Sequence, residues 1–140
     1  MRIAVASDEK TALTDFVVSE LQKRGHDVIL IGPLAGEELA WADAGLELGR
    51  LVASKEAEIG VGFCWTGTGM SIAANKVPGV RAALCFDAET ARGARRWNDA
   101  NVLVMSLRAT SPEIAREMLD AFLSTPPDES ERPQIEKVSV

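Results

Sequence analysis

The amino-acid sequence predicts a single α/β domain in which helices cover both faces of a five-stranded parallel sheet. Short runs rich in β-branched residues alternate with longer segments of helical period, which is the pattern of this fold class. The chain has 140 residues, of which 46% are hydrophobic and 26% charged, as expected for one globular domain. A glycine-rich turn at residues 67–69 follows the third apolar run, where a strand would lead into a helix.

The strands are predicted at residues 2–6, 27–31, 58–63, 80–85 and 101–105. The first helix follows from Leu13, Phe16, Val17 and Leu21, which recur at helical spacing before Gly25 ends the helix. The next three helices are predicted at residues 40–54, after Thr68 and at 88–97. The fifth begins with Ser111 as its N-cap and Pro112 at the first helical position. This alternation predicts a doubly wound, Rossmann-like sheet.

Residues 1–124 are predicted to form this domain, and residues 125–140 form a C-terminal tail. The tail contains Pro126, Pro127 and Pro133 among acidic residues, a composition that disfavours a continued helix or a central strand. Two interpretations remain open. The tail is either a disordered acidic terminus or an extended arm that contacts a partner subunit.

Composition and motifs argue against several classes of function. The net charge is −6 without a long basic run, so no nucleic-acid partner is expected. The apolar stretches are too short for a membrane span or a signal peptide, and a cytoplasmic protein is the default expectation. Neither a nicotinamide cofactor nor a nucleotide is expected, because Ile72 breaks the Gly-x-Gly-x-x-Gly pattern and no P-loop follows the turn.

The two cysteines, Cys64 and Cys85, lack Cys-x-x-Cys spacing and are expected to be reduced thiols. The one histidine, His26, precedes the second strand and should lie at the opposite pole from Cys64, so neither a Cys-His pair nor a metal site is expected. In parallel sheets, ligands bind beyond the carboxyl ends of the strands, where Cys64 and its glycine turn lie. The turn offers backbone N–H groups beside a thiol that can move a proton. The alternative is a structural turn beside a buried, inert cysteine.

Four blocks of sequence carry a resemblance to a known family. They are residues 3–8, residues 64–76 with the pattern Cys-x-Thr-Gly-x-Gly-Met-Ser-Ile-Ala-Ala-Asn-Lys, residues 80–85 and residues 98–103. Over residues 2–122 the chain resembles ribose-5-phosphate isomerase B and galactose-6-phosphate isomerase. The resemblance implies a homodimer or dimer of dimers with sites at the subunit interface, and metal-free interconversion of aldose and ketose phosphates.

The resemblance also implies roles for individual residues. Cys64 would carry a proton between C1 and C2, and Thr66 would assist ring opening. The group that opens the ring stays open among Asp8, Glu9 and Thr66. The glycine turn would bind the developing enediolate, and Asn75 would brace that turn. Such chemistry needs a base of near-neutral pKa, and a thiol of pKa about 8.5 near a helix N-terminus is suitable. The expected contacts of the substrate are Gly67, Thr68, Gly69, Asn75, Asn98, Asp43, Glu9, Trp65 and Trp97.

Several positions depart from the family pattern. Glu9 and Trp97 stand where the family usually has histidines, the second of which reaches the partner subunit's site. Trp65 replaces a glycine of the turn, and Trp41 replaces a tyrosine and is expected to be buried on its helix. Near the C-terminus, Pro133, Ile135 and Glu136 stand among the family's usual phosphate-binding positions. Arg108 and Arg132 remain as phosphate partners.

A run of arginines at positions 92, 95 and 96 has the spacing to converge on one anion, although a solvated helix face is the simpler interpretation. Three functional hypotheses follow. The chain is an aldose–ketose isomerase with a changed sugar or sugar-phosphate substrate, a non-catalytic sugar-binding relative, or one subunit of a hetero-oligomeric isomerase. The retained Cys64 favours the first hypothesis.

Overall fold

The computed structural model describes all 140 residues and contains five strands and six helices. The strands are β1 (Arg2–Ser7), β2 (Asp27–Ile31), β3 (Ile59–Cys64), β4 (Ala82–Leu84) and β5 (Val102–Ser106). The helices are α1 (Ala12–Lys23), α2 (Trp41–Ala53), α3 (Thr68–Asn75), α4 (Ala88–Asn98), α5 (Pro112–Ser124) and α6 (Arg132–Lys137). Short 3₁₀ turns cover Gly32–Ala35 and Glu129–Glu131.

All strand pairs are parallel, and the order across the sheet is β2-β1-β3-β5-β4. The chain moves outward from β1 to β2 and then returns to the other side of β1 with β3. The predicted doubly wound fold is therefore confirmed. The reversal places a crevice beyond the carboxyl ends of β1 and β3, where the loops after Ser7 and Cys64 lie side by side.

Local sequence signals position the helices. Thr11, Asp87 and Ser111 each accept a hydrogen bond from the backbone N–H three residues later, and so cap α1, α4 and α5. Strand β4 is shorter than predicted. It lies at the sheet edge, and the side chain of Asn75 forms hydrogen bonds with both the N–H and the C=O of Ala82, at 2.8 and 3.0 Å.

Two apolar clusters lie on opposite faces of the sheet. Phe63 and Met105 belong to the larger cluster with α1, α4 and α5, whereas Cys64 belongs to the smaller cluster with α2 and α3. Two glycines of α2 let α3 approach closely. A Cβ atom at Gly45 would lie 2.6 Å from the Ala73 Cβ, and one at Gly49 would lie 2.7 Å from the Val77 Cγ2. The side chain of Cys64 therefore lies on the face formed by α2 and α3.

The tail departs from the extended form expected for it, because it contains a 3₁₀ turn and α6. Pro133 falls in the first turn of α6, where a missing N–H removes no helical hydrogen bond. Ile135 is buried at 2% exposure, and the Gly79 N–H donates to the Val140 carbonyl at 3.1 Å. Contact of this tail with a partner subunit stays a prediction. None of the six helices has the length and apolar character needed to cross a bilayer.

Candidate active site

The turn after β3 holds Cys64 against the start of α3. Cys64 is the last residue of the strand and is 5% exposed. Gly67 has the left-handed φ of 86° as the N-cap of α3, and a Cβ atom there would lie 2.5 Å from the Leu84 Cδ1. Both the backbone angle and the neighbouring side chain therefore require glycine at this position. The tight turn brings the helix N-terminus directly over the end of the strand.

Backbone N–H groups gather around the thiol. The Met70 N–H donates a hydrogen bond to the Cys64 Sγ at 3.5 Å. The N–H groups of Gly67 and Gly69 form no hydrogen bond within the chain, as is usual for the first turn of a helix. The hydroxyl oxygens of Thr66 and Thr68 are 2.9 Å apart. The structure therefore brings the predicted thiol, hydroxyl groups and free donors together, an arrangement suited to an anionic oxygen.

The loop after β5 supports the turn from the side. The Leu107 N–H donates to the Cys64 carbonyl at 3.0 Å, and the Arg108 N–H donates to the Trp65 carbonyl at 3.1 Å. The Ser106 hydroxyl also donates to the Trp65 carbonyl, at 3.0 Å. Arg108 is exposed and forms no ion pair within the chain. The backbone of Arg108 therefore lies beside the turn, and its guanidinium has no ionic partner in the chain. The supporting role of Ser106 has no local sequence signal.

Asp8 approaches Cys64 from the neighbouring strand. Ser7 is in register with Phe63, so the next residues along the two parallel strands, Asp8 and Cys64, leave the sheet side by side. Burial raises the pKa of the Asp8 carboxyl above its ordinary value, a backbone hydrogen bond opposes the rise, and the charge of Glu9 adds to it. Asp8 therefore holds a proton more readily than a free carboxylate and can serve hydroxyl proton transfer.

The loop after β1 also borders an acidic cleft of about 600 Å³. Asp8, Glu9 and Glu38 line the cleft, with Lys10 as its one cation. Glu9 is exposed, and its N–H donates to the Ser7 hydroxyl at 3.1 Å. The two sides of the site therefore carry opposite charges, with carboxylates on the loop after β1 and Arg108 on the loop after β5. Like charges repel, so the phosphate of a ligand would be directed toward Arg108.

Three expected site residues lie at the opposite pole. Helix α4 runs back against the strands for 11 residues, about 16 Å, so Trp97 and Asn98 finish far from Cys64 in the same chain. Arg132 pairs there with Asp99 at 3.3 Å and with Glu129. Trp97 is 54% exposed and Asn98 is also exposed. Within a single chain these residues cannot contact a ligand held at the glycine turn.

Two other expected contacts are also apart from the turn. Asn75 ends α3, about 10 Å along the helix from Thr68, and bonds to Ala82. The prediction that it braces the turn is wrong, because its side chain instead holds the edge strand β4. Asp43 is exposed and lines a different cleft, of about 690 Å³, between β2 and α2. The sequence alone does not indicate where Asn75 and Asp43 lie, because their positions depend on how α2 and α3 pack against the strands.

The arginines of α4 do not converge on one anion. Arg92 pairs with Glu89, whereas Arg95 pairs with Asp99 at 2.8 Å and lies over the Phe122 ring at 5.6 Å. Cys85 is fully buried, and burial, together with the charge of Asp87, raises its pKa to about 12. Cys85 is therefore an inert core thiol. No group of three or more His, Cys, Asp or Glu side chains is placed to hold a metal ion.

Comparison with known proteins gives consistent matches. The family model described as Ribose/Galactose Isomerase matches residues 3–138. The chain is 41% identical over 126 residues to the DNA damage-repair/toleration protein DRT102 of Arabidopsis thaliana, covering 89% of this chain but 39% of that protein. It is 36% identical over 121 residues to the D-erythrulose-4-phosphate isomerase of Pectobacterium atrosepticum, covering 86% and 77% of the two chains.

A solved structure matches over nearly the whole length. The ribose-5-phosphate isomerase B of Clostridium thermocellum superimposes with a TM-score of 0.93 at 35% identity, covering 99% of this chain and 95% of that one. The matched region contains the sheet, the glycine turn and the tail. Fold, sequence and the arrangement around Cys64 agree with one another, and this chain is a member of the ribose/galactose isomerase family.

Proposed function

We propose that this protein is an aldose–ketose isomerase that acts on a small sugar phosphate through a cis-enediolate, with Cys64 as the proton carrier. The observation that carries the proposal is the thiol held 3.5 Å from the Met70 N–H, beside the free N–H groups of Gly67 and Gly69. Family membership supports it, because the bacterial relatives named above are sugar-phosphate isomerases by name.

The reaction transfers one proton between neighbouring carbons. Cys64, as the thiolate, removes the proton from C2 of the open-chain aldose; the C1=C2 double bond forms and O1 becomes anionic. The N–H groups of Gly67 and Gly69 stabilise this oxygen. Asp8 and Thr66 serve proton transfer between the hydroxyl at O2 and O1. Cys64 then returns its proton to C1 as C2=O forms, and the ketose is complete.

Charge orients the substrate. The phosphate lies toward Arg108, which has no competing carboxylate partner, and the hydroxyl-bearing end lies toward Asp8 and Glu9. A carboxylate at position 9 repels phosphate and accepts hydrogen bonds from hydroxyl groups. This arrangement supports a substrate that is phosphorylated at one end and differs from the family's usual sugar in its contacts near C1 and C2.

The working unit is a homodimer with composite sites. Four exposed aromatic or aliphatic side chains lie on the elements flanking edge strand β4, namely Trp65, Ile72, Phe86 and Trp97, each more than half exposed. A second copy that packs there in antiparallel orientation covers these side chains. It also brings its own Trp97, Asn98 and Arg132 to the glycine turn, which one chain alone cannot do.

The test follows deuterium exchange in deuterated water with a panel of aldose and ketose phosphates and free sugars. Label at C2 of a phosphorylated aldose supports the proposal; no label with any sugar contradicts it. Composite sites are tested by mixing Cys64→Ala and Asn98→Ala subunits. Heterodimers then contain one intact site, so random mixing restores activity in about one site in four. Mixing without any gain contradicts the shared site.

A further inference from the structure

We propose that Trp41 is a positioning residue that sets the geometry of the glycine turn through Gly69. The inference rests on the proposed isomerase function and assigns to that site a residue on a different helix. Trp41 is the first residue of α2, and the expectation that it is buried is wrong, because its side chain is 46% exposed. Part of the indole lies against the turn.

The contact is close and specific. A Cβ atom at Gly69 would lie 2.7 Å from the Trp41 Cε3, 2.9 Å from its Cδ2 and 3.2 Å from its Cζ3. These three atoms belong to the six-membered ring of the indole, which therefore covers the Gly69 Cα. Gly69 does not have a positive φ, in contrast to Gly67. The side chain of Trp41, rather than the backbone angle, therefore requires glycine at position 69.

The contact ends a regular row between two parallel helices. Gly45 faces Ala73, and Gly49 faces Val77, two residues past the end of α3. Trp41 facing Gly69 therefore continues the same spacing of four residues along both segments. The two glycine contacts hold the body of α3 against α2. Gly45 also lies near the first turn, because a Cβ atom there would be 3.2 Å from the Met70 carbonyl oxygen. Trp41 is the one member of this row whose side chain covers Gly69, which carries one of the free N–H groups. Loss of the indole would therefore loosen the turn and leave the helix pair assembled.

The expected effect is on the rate of the chemical step. Donors stabilise an oxyanion when they are already aimed at the oxygen, and misplacement by about 1 Å can lower a rate about a hundredfold. Binding of the substrate's phosphate depends on other groups, so the KM should change little. Trp41→Ala is therefore expected to lower kcat about ten- to a hundredfold with KM within about threefold of wild type.

The experiment compares Trp41→Ala and four further variants with the wild type in the isomerase assay. Trp41→Phe should restore most of kcat, because a phenyl ring also covers Gly69. Leu46→Ala removes another exposed apolar side chain from α2, outside the Gly69 contact, and should match the wild type. Gly69→Ala alone should lower kcat, because its Cβ collides with the indole. The double variant Trp41→Ala with Gly69→Ala should be no slower than Trp41→Ala, because the collision is gone.

Additive losses in the double variant, or a Trp41→Ala kcat within twofold of the wild type, would overturn the inference. Amide hydrogen exchange of the substrate-free proteins tests the positioning role of Trp41 independently of the proposed isomerase function. The amides of Met70 and Ser71, which donate hydrogen bonds to the Cys64 Sγ and the Gly67 carbonyl, should exchange faster in Trp41→Ala than in Leu46→Ala, with unchanged exchange in the sheet. If that difference appears while the wild type isomerises no sugar, the positioning role stands and the proposed function fails. Equal exchange in the two variants contradicts the positioning role.

Discussion

The sulfur of Cys64 accepts a hydrogen bond from the Met70 N–H across the tight turn that joins β3 to α3. This contact fixes the side chain of the proposed proton carrier relative to the helix whose free N–H groups would bind the enediolate. The thiol and the donors therefore move as one unit. A substitution in this unit and one at the other cysteine should have contrasting effects.

Replacement of Cys64 by alanine is expected to lower the rate of C2 proton exchange about 10²- to 10⁴-fold, the usual contribution of a general acid–base group. Cys85→Ala should retain exchange, because that thiol is fully buried and its raised pKa of about 12 keeps it protonated. The measurement is deuterium incorporation by the two purified variants under identical conditions. Equal rates in both variants would contradict the assignment of Cys64.

The raised pKa of Asp8 predicts that the stability difference between the wild type and Asp8→Asn depends on pH. Because burial raises its pKa in the folded protein, the folded state binds the proton more tightly than the unfolded chain, and ionisation opposes folding. Below the ordinary pKa of 3.8, the carboxyl is protonated in both states and does not lower the stability of the fold. The loss of stability develops as the pH rises from there through the folded-state pKa. Asp8→Asn should therefore be more stable than the wild type at about pH 7 and equal at about pH 3.

Thermal or urea unfolding across this range measures the effect. Asp43→Asn, at an exposed carboxylate of the β2 cleft, is the matched control and should show no such trend. A stability gap for Asp8→Asn that closes, rather than opens, with rising pH would contradict the assignment. The same variant should isomerise more slowly, because it cannot transfer a proton to or from a hydroxyl group.

Arg108→Ala should raise the KM for a phosphorylated substrate about 10- to 100-fold, since a hydrogen bond to a charged group contributes about 1.5–3 kcal/mol. Arg92→Ala removes an arginine that is paired with Glu89 and should leave KM unchanged. Steady-state kinetics at two salt concentrations provide the measurement. Added salt should weaken substrate binding by the wild type more than by Arg108→Ala. An unchanged KM in Arg108→Ala would place the phosphate elsewhere.

Asn75→Ala should destabilise the fold by about 1–2 kcal/mol, because the N–H and C=O of Ala82 lose their partners. Asn98→Ala, at an exposed asparagine without a side-chain hydrogen bond in the chain, is the control. Denaturant unfolding of both variants gives the comparison. Equal midpoints would show that water replaces the side chain without loss.

Much of the architecture was predictable because it depends on local pattern. The apolar runs identified all five strands, and the cap at Ser111 lies where the sequence indicates. Cys64 and its turn were identifiable because parallel strands direct their carboxyl ends to one edge. Those signals involve residues close together in the chain.

The remaining features depend on distant partners. Asn75 bonds to a strand seven residues further on, and Trp41 contacts a glycine 28 positions away. The tail is held to the domain in part through Asp99, which pairs with Arg81, Arg95 and Arg132 from three separate segments. Neither spacing nor composition indicates such convergence, because it arises when the sheet brings the segments together.

The pairing of Asn75 with Ala82 also bears on how copies of this protein can meet. The amide offers β4 the donor and acceptor that an added strand would supply, so the outer edge of the sheet is already occupied at that residue. In the homodimer proposed above, two copies that meet at this edge would therefore contact each other through side chains rather than by joining their sheets into one. The same amide therefore opposes the addition of a further strand at Ala82, because the N–H and C=O that such a strand would pair with are already bonded.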